Sequence, residues 1–148
     1  MIRHIFCDLD GTLYNNGINE DDVKAIKEIE KEGVIFHVAT GRVFKQAYKM
    51  INEKFKLNGY FICENGSVLV TKNGEIIYND RMNPNSVAKL IKTIANKFKF
   101  EFLAYVDLKT HKYKFLKGSK KLTEDLTQPW FYSEEIYDNV DNFIENID

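Results

Sequence analysis

Apolar residues in this chain come in short runs separated by polar breaks, and the spacing within each run separates strand from helix. Ile2 to Cys7, carrying Ile2, Ile5 and Phe6, predicts a buried strand of a parallel sheet. Val34 to Ala39 and Tyr60 to Cys63 predict two more. Between the first two, Asn19 followed by Glu20, Asp21 and Asp22 reads as a helix start, a capping side chain with acids in the first turn. Val23, Ile26 and Ile29 then recur at helical spacing, and Gly33 closes the element. Val43 to Phe55 predicts a second helix. This β-α-β-α-β order argues for a Rossmann-like parallel sheet with right-handed crossovers, hence for the α/β class.

The pattern changes after Ser67. Val68 to Thr71 and Ile76 to Asn79 flank Lys72-Asn73-Gly74-Glu75, which predicts a hairpin turning at Asn-Gly. Pro84 with Asn85 and Ser86 opens a third helix, with Val87, Leu90, Ile91, Ile94 and Phe98 on its apolar face. Phe100 to Val106 and Tyr113 to Leu116 are aromatic-rich strands, and Phe98, Phe100, Phe102 and Tyr105 read as core. Leu122 to Leu126 reads as helical until Gln128-Pro129, and Val140 to Ile147 as a short terminal helix. A break near Asp80 to Pro84 divides the chain into a parallel βα part, residues 1–81, and an α+β part, residues 82–148.

Composition narrows the function classes. With 148 residues, 44% hydrophobic content and a formal net charge of −1, the chain reads as a soluble globular protein. Balanced charge gives no nucleic-acid steering, and no apolar run is long enough to span a bilayer. Asp8 and Asp10 interrupt the early apolar stretch, against a signal peptide. Cys7 and Cys63 lie in predicted strands without metal-type spacing, as free thiols of a reducing cytoplasm would. His4 and His37 read as packed or edge histidines, and His111 makes no set with them. The lysine-rich stretch from Lys109 to Lys121 reads as solvated surface, with a basic face for anionic substrates as the alternative.

The chemistry gathers at the ends of the predicted strands. Asp8-Leu9-Asp10-Gly11-Thr12-Leu13 follows the first strand, at the carboxyl end where open α/β sheets bind ligands. Two such carboxylates can bind a hard cation through oxygen, or divide into nucleophile and general acid/base. Thr40-Gly41-Arg42 ends the second strand and opens a helix, so a hydroxyl and free N–H groups meet at an anion-binding terminus. Glu64-Asn65-Gly66-Ser67 follows the third strand, bringing Asn65 and Gly66 to the same edge.

The first string resembles motif I of the haloacid dehalogenase-like (HAD) superfamily, mostly Mg²⁺-dependent phosphohydrolases. The Val-Ala-Thr-Gly-Arg and Glu-Asn-Gly-Ser strings resemble its Cof-type, subclass IIB branch. The resemblance implies that Asp8 is the nucleophile and Asp10 the acid/base. It further implies that Asp8 and Asp10 hold Mg²⁺, that Thr40 and Gly41 cradle the phosphoryl group, and that Arg42, Asn65 and Gly66 contact substrate. The implied partner is a small phosphorylated metabolite, a sugar phosphate, nucleotide or cofactor phosphate. The specific motifs end near Asp80, and beyond it only element order resembles the family's cap.

Cof-type enzymes return from the cap to complete the core with a motif III Lys and a Gly-Asp-x-x-Asn-Asp string. Asp138-Asn139-Val140-Asp141-Asn142 lacks the glycine, follows no apolar strand, and reads as a helix start or loop. The expectation is an incomplete HAD core with a partial cap, and a chain that alone is a weak or inactive phosphatase. Three accounts fit: a truncated enzyme, a half-enzyme completed by another chain, or a non-catalytic phosphate-binding relative. The incomplete sheet edge would serve self-association or a partner chain.

Overall fold

The computed structural model describes residues 2–118 and 133–147. They divide into two compact units, Met1–Asp80 and Arg81–Asp148. The helix read at Leu122 to Leu126 and its break at Gln128-Pro129 lie outside the described residues.

The first unit holds β1 (His4–Asp8), α1 (Glu20–Lys31), β2 (Ile35–Ala39), α2 (Phe44–Asn52), β3 (Tyr60–Cys63), a 3-10 turn (Glu64–Gly66), β4 (Val68–Thr71) and β5 (Ile76–Asn79). The strands form one sheet in the order β1-β2-β3-β4-β5, with β1, β2 and β3 parallel and the β4–β5 hairpin antiparallel. The Rossmann-like α/β reading therefore holds for the first three strands. Asn19 caps α1 by accepting the Asp21 N–H at 2.9 Å, with Glu20, Asp21 and Asp22 in the first turn. The second helix is shorter than its apolar pattern, ending at Asn52 instead of Phe55. Beyond it, Asn58 Oδ1 accepts the Phe36 N–H of β2 at 3.0 Å.

Register sorts the strand side chains onto two faces. Ile5, Cys7, Phe36, Val38, Phe61, Cys63, Val68 and Val70 share one of them. Both helices lie on that face: Ile26 and Ile29 of α1 line a cleft with Cys7 and Phe36, and Phe44 of α2 meets Phe61 edge-on at 5.3 Å. Val38, Phe61, Cys63 and Val70 are fully buried there. Burial pushes the Cys63 thiol up to about 12, so it stays a neutral core group. His4, Phe6, His37 and Tyr60 fall on the opposite face. His37 is a packed histidine, as its sequence context suggested, and it lies in a row of rings with His4, Phe6 and Tyr60.

The second unit holds α3 (Pro84–Lys97), β6 (Phe102–Asp107), β7 (Lys112–Lys117), β8 (Ser133–Tyr137) and α4 (Val140–Glu145). β6 and β7 pair antiparallel, and β8 joins β7 in parallel. Ile91, Leu116 and Phe143 form the core, with Phe100 and Tyr105 against it. Two readings change here. Leu90 and Phe98, placed on the apolar face of α3, are exposed, Phe98 because it is the residue after the last helical turn. Lys114 is not solvated surface: it is nearly buried, 3.1 Å from the carboxylate of buried Asp107. The Asp138–Asn142 string is a helix start, as read, and the strand before it, β8, is acidic and not apolar. Asn139 caps α4, and Asp138 and Asp141 pair with Lys117 and Lys92. Among the described residues, no helix is long and apolar enough to cross a membrane.

Candidate active site

Three strand ends build the crevice. β1 stops at Asp8, and buried Leu9 and Leu13 pin the loop that follows into the core. That loop folds back on itself: Gly11 N–H donates to the Tyr14 carbonyl at 2.9 Å, and Tyr14 N–H to the Leu9 carbonyl at 2.7 Å. The turn needs φ of 80° at residue 11, which explains the glycine. The Thr12 hydroxyl donates to Asp8 Oδ2 at 3.1 Å and orients that carboxylate. Asp8 stands opposite Ala39 in the sheet, one residue before Thr40.

Asp10 turns toward the second strand end. Arg42 grips it with a fork: Nε lies 2.8 Å from Oδ2 and Nη2 lies 2.7 Å from Oδ1. The Arg42 hydrogen bonds hold the Asp10 carboxyl below its usual range despite some opposing desolvation. The Thr40 hydroxyl lies 3.5 Å from Asp10 Oδ2 and accepts the Arg42 N–H at 3.1 Å. Thr40 is itself buried, and its N–H donates to the Ile62 carbonyl at 2.8 Å, which locks this strand end to β3.

The third strand end is conformationally unusual. Glu64 and Asn65 have φ of 53° and 56°, left-handed values uncommon for side-chain-bearing residues, and Gly66 follows at 96°. Backbone bonds enforce the turn: Glu64 N–H donates to the Arg42 carbonyl and Asn65 N–H to the Thr40 carbonyl, both at 3.2 Å. A Cβ placed on Gly41 would lie 2.9 Å from Asn65 Oδ1, so the absence of a side chain at Gly41 is what lets Asn65 approach. Strain held in place by surrounding bonds is a mark of functional loops.

The structure thus brings Asp10, Thr40 and Arg42 into direct contact, sets Asn65 against Gly41, and places Asp8 on the neighbouring strand end. Gly66 closes the same turn with φ of 96°, and a Cβ there would meet open space. Glu64 was not among the candidate residues. Its Oε1 is buried and accepts no hydrogen bond, and burial pushes the carboxyl up to about 7. The signal available in the sequence was an acid directly after an apolar strand and before Asn-Gly.

Asp8 and Asp10 offer only oxygen to a cation, which suits Mg²⁺, an ion that uses one or two carboxylates and keeps several waters. Among the described residues no group of three or more His, Cys, Asp or Glu could hold a metal, so the protein's share of such a shell is small.

The chain is similar to known proteins. The family profile described as haloacid dehalogenase-like hydrolase matches residues 5–148. The chain belongs to that family. A Bacillus subtilis relative, the 5-amino-6-(5-phospho-D-ribitylamino)uracil phosphatase, is 30% identical over 105 residues, 70% of this chain and 41% of the relative. The fold is also that of a Thermotoga maritima protein of known crystal structure, with a TM-score of 0.76 at 22% identity over 98% of this chain and 52% of that one. A HAD subclass IIB sugar phosphatase superposes with a TM-score of 0.69 at 15% identity, over 97% of this chain and 55% of that chain. This HAD-like chain spans about half the length of these structures and less of the curated relative.

Proposed function

We propose that this HAD-like chain carries the nucleophile-bearing part of a Cof-type phosphatase site that hydrolyses small phosphate monoesters such as sugar, nucleotide or cofactor phosphates. The observation that carries this reading is the meeting of Asp8, Asp10, Thr40, Arg42 and Asn65 at the carboxyl ends of three parallel strands.

In this reading an Asp8 carboxylate oxygen attacks phosphorus, and the bond from phosphorus to the ester oxygen breaks. The departing alkoxide takes a proton from the Asp10 carboxyl, leaving an aspartyl-phosphate on Asp8. Asp10, now a carboxylate, takes a proton from water as that water attacks the phosphorus, and inorganic phosphate leaves with Asp8 regenerated. Thr40 Oγ1 and the Gly41 N–H cradle the phosphoryl oxygens. The Asp8 carboxylate and the Asp10 backbone carbonyl would hold Mg²⁺, which when bound offsets charge on the phosphoryl group.

The Arg42 fork shapes the acid step. While Arg42 holds it, Asp10 is a carboxylate and has no proton to give. Transfer of Arg42 to the incoming phosphate frees Asp10 to take a proton. The same fork favours a second reading, a phosphate-binding module without catalysis, in which Arg42 never leaves.

Asp8 and a phosphate anion about 4 Å apart repel by roughly 4 kcal/mol at an effective dielectric near 20. Each 1.4 kcal/mol left uncompensated costs about tenfold in rate. Arg42 is the one cation that the described contacts place at the crevice, so turnover by this chain alone is expected to be slow, well below about 1 per second. p-Nitrophenyl phosphate hydrolysis with and without Mg²⁺ tests this. Slow, Mg²⁺-dependent turnover lost in Asp8→Asn supports the phosphatase reading. Turnover that survives Asp8→Asn refutes it, and phosphate binding without any turnover selects the binding module.

A further inference from the structure

We propose that Glu64 is a positioning residue: its neutral carboxyl holds the clamp that fixes the Thr40-Gly41-Arg42 loop, and loss of its proton opens that clamp. The clamp reaches all three residues. Glu64 N–H donates to the Arg42 carbonyl and Asn65 N–H to the Thr40 carbonyl, while the Asn65 side chain sits against Gly41. Both donors stand in a left-handed turn, with φ of 53° and 56°, which residues with side chains adopt when their surroundings enforce it. For Glu64 the enforcement comes from two sides. Its carbonyl accepts the Ser67 hydroxyl at 2.7 Å, and its side chain is tucked in with Oε1 buried.

That burial suits a neutral carboxyl and not a carboxylate. Among the described residues no hydrogen bond reaches Oε1. The strands that flank the turn bring it no cation: β4 carries no charged side chain, and β3 carries the phenol of Tyr60 and the neutral thiol of Cys63. Beyond β5 stands Asp80, another acid, whose N–H donates to the Ser67 carbonyl. The Arg42 guanidinium is engaged with Asp10. A carboxylate buried without a partner is costly, so proton loss drives the group toward water. Glu64 reaches water by leaving its left-handed conformation, and its N–H then leaves the Arg42 carbonyl. Burial raises the carboxyl to about 7, so the clamp is closed in mild acid and opens as pH rises through that value. Under the phosphatase reading, on which this consequence rests, the phosphoryl cradle of Thr40 and Gly41 loses its fixed geometry at alkaline pH and turnover declines.

Amide hydrogen exchange and carboxyl ¹³C NMR of the full chain, between about pH 5.5 and 8.5, test the proposal. In the wild type the Glu64 carboxyl is expected to titrate near 7. Protection factors of the amides at positions 64 and 65 should fall at least about tenfold through the same midpoint. Glu64→Gln keeps a neutral group of the same shape and should stay protected across the range. Glu64→Ala has no carboxyl to bury and should be unprotected across it. Turnover of p-nitrophenyl phosphate gives the functional reading: kcat should decline above pH 7 in the wild type, and Glu64→Gln should lack that decline. Absence of turnover in every form would remove the phosphatase reading and leave the exchange result to decide this one. Protection that is flat with pH in the wild type overturns the proposal, and this needs no variant to fold. A midpoint near 7 that persists in Glu64→Gln overturns it, as does Glu64→Ala as well protected as Glu64→Gln. Measurable turnover with one pH profile in wild type and Glu64→Gln overturns it too.

Discussion

Tyr60 and Phe61 are neighbours in β3, yet Phe61 is fully buried beneath α2 while Tyr60 keeps 41% of its surface open. Across the sheet, Phe36, Val38, Phe61 and Cys63 are buried under the helices, while His4, Phe6, His37 and Tyr60 form a row of rings on the other side. The covered face supplies the burial that holds the first unit together. The opposite face leaves Phe6 and Tyr60 largely exposed. Asp8 belongs to that face by register, at its edge on the crevice.

The largest expected effect separates the two faces directly. Phe61→Ala should cost about 3–5 kcal/mol, the usual range for emptying a buried aromatic site. Phe6→Ala, at an exposed ring, should stay within about 0.5 kcal/mol. Urea denaturation of dilute samples gives both numbers, and similar values would erase the distinction between the faces.

A smaller pair of effects distinguishes the crevice from the open face by pH. Burial raises the Glu64 carboxyl from 4.5 to about 7, so its stabilising neutral form is fully present below 4.5 and lost as pH rises through 7. Glu64→Gln should therefore stabilise at pH 8 by about 1 kcal/mol, allowing for partial solvent screening, and change little at pH 4. His37 works in the opposite direction. Desolvation, then the neighbouring His4, lowers it from 6.5, so its contribution is present above 6.5 and lost as pH falls through the depressed value. Thermal melts of His37→Asn should show a flatter acid limb than wild type, and an unchanged acid limb would place the acid sensitivity elsewhere.

Much of this was legible in the residues. The capped start of α1, the three parallel strands and the Asn-Gly hairpin followed from periodicity and turn chemistry, because each is set by local preferences. Lys114 was misread because its partner Asp107 lies across a strand pair, a contact no local pattern reveals. β8 was missed because an acidic strand pairing in parallel with β7 lacks the apolar alternation of the others. In the crevice the motifs gave the residues but not their pairing. That Arg42 grips Asp10, and that Glu64 and Asn65 both turn left-handed, are products of three strand ends meeting. The uncovered face was equally invisible, since a parallel strand's composition does not tell on which side its helices will pack.

The central claim is that Asp8 is the phosphoryl acceptor of a site assembled at these strand ends. Beryllium fluoride mimics the phosphoryl group on a carboxylate, and ¹⁹F NMR of the chain with Mg²⁺ and beryllium fluoride reads that adduct directly. A bound fluoride signal that requires Mg²⁺ and disappears in Asp8→Asn, while persisting in Glu64→Gln, is the predicted result. A wild-type spectrum showing only free beryllium fluoride, or an adduct retained in Asp8→Asn, would contradict it.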